Sequence, residues 1–297
     1  MATRAIANSN NFVRWDKITG TYTLSELQAS GLPEPEDPTS YLNTPTLNTA
    51  AEMEDNITVN GTSVCQVAED RLICIADKGA TSSIRMFSVD SDGNITGMDS
   101  VQSFGPTEAQ RPDIVDMGNN WAVVVYRGGN NSYFMSMTVN YNTTTGVLTL
   151  GTPQEQNATV MAGTDAVHAA KISSTKLVMC GARNAGRIEI ILGELNTGTS
   201  QVDSLDSTTT ETGNVCGYLG VCEIDSDHVF MSYFRFTGTD QVQCRLIDTT
   251  SDTLTVGGAL ILDAPNVAAY ATACVEVDTD VVMVAWVGPM IVTGKLK

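Results

Sequence analysis

Positive charge is scarce in this chain. Sixteen Lys and Arg stand against 34 Asp and Glu, for a formal net charge of -18 over 297 residues. That balance argues against a nucleic-acid backbone or an anionic membrane surface as a general partner. Aromatic residues are only 6% and charged residues 17%. No apolar run approaches the length of a membrane span, and the opening MATRAIANSNN lacks the apolar centre of a signal peptide. Membrane insertion and a classical secretory route are therefore not expected. Histidine occurs twice, and no Cys/His spacing matches a metal site, so no cofactor or metal is expected. The cysteines number seven, an odd count, and most sit within apolar strand patterns. They read as reduced core residues in a chain folding in a reducing cytoplasm, with paired disulfides as the alternative.

Thr, Asn, Ser and Gly are abundant and crowd the spaces between short apolar runs, which is the composition of strands joined by tight turns. From Val59 the chain repeats. The runs RLICIA from Arg71, WAVVVY from Trp121, KLVMCG from Lys176, HVFMSY from His228 and VVMVAW from Val281 start 50, 55, 52 and 53 residues apart. Each follows a first strand rich in small residues (VCQV, IVDM, AVHAA, GVCE, TACVE) and a polar turn. The first four are followed by a third strand (IRMFSV, FMSMTV, IEIILG, VQCRLI) and a fourth (NITGMD, GVLTLG, SQVDSL, DTLTVG). A four-stranded antiparallel sheet repeated about every 50 residues is the pattern of a propeller blade, because one small sheet must stack on neighbours to cover both faces.

The fold expected is thus all-β, a five-bladed β-propeller with four-stranded blades. The C-terminal inner hairpin, Thr272 to Trp286, has nothing after it to supply outer strands. Phe12 to Glu26 (FVRWDKITGTYTLSE) has the pattern of an outer hairpin, so closure is expected to pair the N-terminal outer hairpin with the C-terminal inner one. The organisation expected is a single domain. A polar arm spans 1–11, the outer strands of the closing blade 12–28, and a strap 29–58 holding Pro33, Pro35, Pro38 and Pro45. The blades follow at 59–108, 109–158, 159–212 and 213–265, then the closing inner strands at 266–288 and a tail at 289–297. The strap is also the candidate for an inter-subunit contact, leaving a homo-oligomer open.

The segments NNWAVVVYRGGNNSYFMSMTV (119–139) and STKLVMCGARNAGRIEI (174–190) resemble the tandem β-propeller repeats of phage and environmental viral proteins and some bacterial surface proteins. Blades two to four carry the resemblance. It is weaker in blade one, with Ala76 and Asp77 at the Tyr-Arg place, and in blade five, with Trp286 and Val287. The resemblance implies a virion appendage, such as a capsid decoration, tail or fibre protein, assembled in the host cytoplasm. Its partners would be other virion proteins or a host surface glycan or protein. It assigns no active residues.

In a propeller, loops leaving the second strand and entering the first open on one face around the axis, where ligands usually bind. The sequence places Arg127, Arg183 and Arg235 at the ends of three successive second strands, with Lys78 in the first blade and Arg111 and Arg187 close to the same rim. Guanidinium forks suit a carboxylate, a sulfate or an acidic partner. The competing reading makes each arginine a tie to a neighbouring blade's acid. Asp113, Asp165 and His168 lie near the starts of inner strands at the same mouth. Five-bladed glycosidases also place carboxylates there, and a carboxylate pair can serve glycosidic cleavage. No set of three acids recurs from blade to blade, so a non-enzymatic binding module is the expectation and a glycoside hydrolase the alternative. DSDGN at 90–94 resembles the opening of a calcium loop but reads as a hairpin turn.

Overall fold

In the computed structural model, the structure describes residues 5–7, 13–15 and most of 61–286. Residues 78–81, 92–93, 105–109, 129–132, 158–160, 162–166, 184–185, 211–214, 237–240, 263–271 and 279–280 are not described. By internal contacts the chain forms two units, Met1–Ala50 and Ala51–Lys297. In the first, Ala5–Ala7 pairs antiparallel with Val13–Trp15, Ile6 facing Arg14. A strand at Val13–Trp15 agrees with the sequence reading. The strand at Ala5–Ala7 lies within the segment read as a polar arm, where Ala5, Ile6 and Ala7 make a short apolar run. The rest of the expected outer hairpin, the strap at 29–58 and the tail at 289–297 lie outside the described residues.

The second unit is a series of antiparallel meanders. The first sheet runs Gly61–Ala68, Arg71–Asp77, Ser82–Val89 and Ile95–Met98, and the second Gln110–Gly118, Trp121–Gly128, Tyr133–Tyr141 and Leu148–Leu150. The third runs Val167–Lys171, Lys176–Arg183, Arg187–Asn196 and Gln201–Thr210, and the fourth Val215–Glu223, His228–Phe236, Gln241–Asp248 and Thr255–Val256. The fifth pairs Thr272–Asp278 with Val281–Trp286. Among the described residues no α-helix occurs. The four expected strands per repeat are present in sheets one to four, with one refinement. In sheets one, two and four the outer edge is shared by a second short strand, Gln102–Phe104, Gln154–Asn157 or Leu260–Ile261, pairing further along the same third strand.

First strands contact one another in chain order from the first sheet to the fifth. The arrangement is propeller-like, with inner edges together and faces stacked. Face stacking explains why the second strands read as continuous apolar runs. Ala122, Val123, Val124, Val125 and Tyr126 are all buried, because both faces of the strand are covered. One core spans the first three sheets, a second joins the third to the fourth, and a third, including Phe230, Phe234, Val282 and Val284, joins the fourth to the fifth. Polar ties cross the same seams. Gln102 Nε2 donates to Leu148 O (2.7 Å), Thr138 Oγ1 to Ser200 O (2.7 Å), and the Leu254 amide to Asp206 Oδ2 (2.8 Å). Among the described residues no comparable run of contacts joins the fifth inner strand back to the first.

Local turn chemistry follows the sequence. Asn119 and Asn120 both take positive φ (52° and 66°) between the first two strands of the second sheet, the geometry a two-residue hairpin loop needs. Asp90 accepts hydrogen bonds from the amide and side chain of Asn94, so its carboxylate closes a turn, as expected in preference to a calcium loop.

Candidate functional site

Register brings three side chains into one layer of the inner edge. Ser63 faces Ile75, Asp113 faces Val125 and His168 faces Cys180, each opposite the fifth residue of its second strand. The three stand 50 and 55 residues apart, the same spacing as the starts of their second strands. A bulge between Gln110 and Asp113 shifts the second sheet's inner strand, with Arg111 held at φ 48° inside it. In the fourth sheet the same layer holds Gly220, facing Ser232, after a bulge of its own, and in the fifth it holds Ala273.

Asp113 ties three sheets together. Its Oδ1 accepts from Ser63 Oγ (2.7 Å) and from the Ile114 amide (2.9 Å). Its Oδ2 accepts from the Ala169 amide (3.1 Å) and stands 3.3 Å from His168 Nδ1. Burial opposes the charge, but the hydrogen bonds from His168, Ser63 and Ala169 outweigh it and hold the carboxyl below the usual carboxylate range. Although serine, histidine and aspartate all meet here, the hydroxyl is bonded to the carboxylate and not to the imidazole. That order lacks the base-to-nucleophile contact a catalytic serine requires. Asp165, the other expected carboxylate, lies outside the described residues, as does Lys78.

Arg127, Arg183 and Arg235 lie within the ends of their second strands and not beyond them. Pairing continues through Arg127 with Phe134, Arg183 with Arg187, and Arg235 with Gln241. Arg127 is the seventh residue of its strand, whereas Arg183 and Arg235 are the eighth. Because strand side chains alternate, Arg127 takes the opposite face of its sheet from the one Arg183 and Arg235 take on theirs. The three are therefore not equivalent positions around the mouth. Arg183 is engaged: its Nη1 donates to Glu189 Oε2 (2.7 Å), and Asn157 of the second sheet donates to Glu189 Oε1 (2.6 Å). Burial pushes the Glu189 carboxyl above its usual range, with Arg183 and Asn157 pulling the other way. Arg183 is thus a tie to an acid of its own sheet. Arg111 contributes its backbone amide to Asp77 Oδ2 (3.2 Å), joining the first two sheets. Arg187 begins its strand with an exposed side chain.

The opposite end carries acidic turns, as the sequence suggests. There His228 Nδ1 lies 2.9 and 3.0 Å from the two oxygens of Asp225, and this contact raises the imidazole above its ordinary range. Among the described residues no cluster of His, Cys, Asp and Glu is arranged to hold a metal ion, and no helix is long and apolar enough to cross a membrane.

No protein-family model matches the chain, and no curated protein sequence matches it. Solved structures do resemble it. A triple arginine-to-alanine mutant of AofleA from Arthrobotrys oligospora aligns over 80% of this chain and 69% of its own at 9% identity, with a TM-score of 0.52. A protein of unknown function from Dyadobacter fermentans aligns over 79% and 73% at 10% identity, also at 0.52. Aleuria aurantia lectin, as a mutant in complex with Fucα1-6GlcNAc, aligns over 81% of both chains at 12% identity and 0.49. At these identities the likeness speaks for the fold alone, a propeller-like assembly of antiparallel sheets.

Proposed function

We propose that this chain is a non-enzymatic binding module, a five-bladed propeller that presents its arginine-bearing face to an acidic group on a glycan or protein partner. The observation that carries the proposal is charge placement. On a chain of net charge -18, Arg111, Arg127, Arg183, Arg187 and Arg235 gather at one end of the sheets, while three of the five turns at the other end are acidic. A local positive field on an acidic protein selects acidic groups and orients the encounter. Arg183 supports the frame through Glu189, which leaves exposed Arg187 as the arginine best placed to meet a ligand.

The commitment of Asp113 favours binding over hydrolysis. A glycosidase nucleophile or acid has to be available to the sugar, and this carboxylate already accepts from two amides and a hydroxyl while facing His168. Placement on a virion, with other virion proteins or a host surface as partners, rests on the sequence resemblance alone. Closure of the ring by the N-terminal hairpin is part of the same proposal, and it would supply the fifth sheet's missing outer strands. A screen of pooled neutral and acidic polysaccharides tests the function. Retention on acidic glycans without turnover is expected, and release of reducing sugar would overturn the non-enzymatic reading.

A further inference from the structure

The seam between the fourth and fifth sheets brings two thiols together. Gly220 lies against the fifth sheet so closely that a Cβ there would stand 2.9 Å from Ala273 Cα and 3.1 Å from the Cys274 nitrogen. Cys222 follows two residues later on the same strand and so projects from the same face toward the same neighbour. Cys274 Sγ reaches Phe230 O at 3.8 Å, and Phe230 is the cross-strand partner of Cys222. Both thiols pack against the apolar cluster of Phe230, Phe234, Val282 and Val284.

The other described cysteines offer no such pair. Cys180 and Cys244 are buried in different sheets, and Cys65 and Cys74 sit at adjacent register positions, which places them on opposite faces of the first sheet.

We propose that Cys222 and Cys274 are a dithiol that closes to an inter-sheet disulfide on meeting a small-molecule disulfide such as oxidised glutathione, fastening the fifth sheet to the fourth. In the first step the Cys222 thiolate attacks one glutathione sulfur, breaking that S–S bond and releasing one glutathione thiolate. In the second, Cys274 attacks the Cys222 sulfur of the mixed disulfide and releases the other glutathione. Two protein thiols are oxidised, one glutathione disulfide is reduced to two thiols, and the two thiol protons pass to the glutathione leaving groups. The order follows from environment. The neighbouring Cys222 side chain, then burial, hold the Cys274 thiol far above the ordinary range, so it is a poor first nucleophile. The hold exerted by Cys222 lapses once its sulfur is engaged, which fits Cys274 as the resolving thiol. Neither cysteine is in a disulfide, so a cytoplasmic pool would leave the clasp open and an oxidising exterior would close it.

The test uses the full chain under native conditions with excess oxidised glutathione, followed by alkylation without reductant and peptide mass spectrometry. A cross-linked pair of peptides containing Cys222 and Cys274 is expected, lighter than the two free peptides by two hydrogens. The oxidised protein should melt about 5 °C or more above the reduced one, and dithiothreitol should reverse both changes. Cys222→Ser and Cys274→Ser should each abolish the cross-link and the shift. The mass measurement on the parent chain stands even if a variant folds poorly. If both thiols remain alkylatable, or only glutathionylated, after prolonged exposure, the dithiol assignment is overturned. A cross-linked chain that melts no higher than the reduced one would overturn the fastening role.

Discussion

Replacing Asp113 by Ala tests whether the inner layer is a structural tie. The substitution removes the acceptor for Ser63 Oγ and for the Ile114 and Ala169 amides, and the carboxylate that faces His168 Nδ1. Leaving a buried donor unpaired costs about 1 to 3 kcal/mol, and the effects within one network are not additive. The carboxylate is 19% exposed, so water can re-satisfy part of the network, and a net loss of about 2 to 4 kcal/mol follows. For a chain of this size that corresponds to a melting point lower by about 5 to 15 °C. Thermal and urea unfolding of the full chain, followed by circular dichroism, would measure it. A further signature lies in the pH dependence. The folded carboxyl is held below its unfolded value near 3.8, so its stabilisation is fully present above that value and is lost as pH falls through the folded one. Asp113→Asn should therefore flatten the acid limb of the stability curve relative to the parent. Combined with His168→Ala, the Asp113→Ala loss should be less than additive. A variant within about 0.5 kcal/mol of the parent, or fully additive with His168→Ala, would refute the tie.

Arg183 and Arg187 should separate cleanly. Arg183→Ala leaves the nearly buried Glu189 without its cation and should cost about 2 to 4 kcal/mol of stability, a deficit that shrinks as pH is lowered and Glu189 takes up a proton. Arg187→Ala, at an exposed position, should leave unfolding within about 0.5 kcal/mol of the parent while weakening retention on an acidic glycan roughly 5-fold or more, read by titration. Gly220→Val forces a side chain against the Ala273 backbone and should destabilise by about 1 to 3 kcal/mol, whereas Gly258→Val, where a Cβ meets open space, serves as the tolerated control in the same denaturation assay. Removal of residues 1–28 should yield an aggregating or uncooperatively unfolding chain if the N-terminal hairpin completes the fifth sheet; sedimentation and thermal scans decide it, and a soluble, cooperative product would refute closure.

What could be read from the sequence was what repeats. The apolar second strands, at starts about 50 residues apart, stood out because face stacking buries both sides and leaves no polar alternation to blur them. Polar turns such as Asn119–Asn120 marked the hairpins for the same local reason, that few residues tolerate positive φ. Ser63, Asp113 and His168 each stand eight residues before the start of their second strand, so the repeat spacing of 50 and 55 already aligns them, and what a count could not show is the hydrogen bonding that joins them. A count of one undoes the apparent ring of arginines. Arg127, Arg183 and Arg235 share a motif position by eye but differ by one residue in register, so alternation turns one of them to the other face of its sheet. One signal was available and missed. Arg183 and Glu189 are six apart across a tight turn, and in an antiparallel pair that spacing sets them diagonal on one face, within reach of each other. A charge beside such a turn is therefore better assigned to its own hairpin first and to a ligand only when, as at Arg187, the hairpin leaves it exposed.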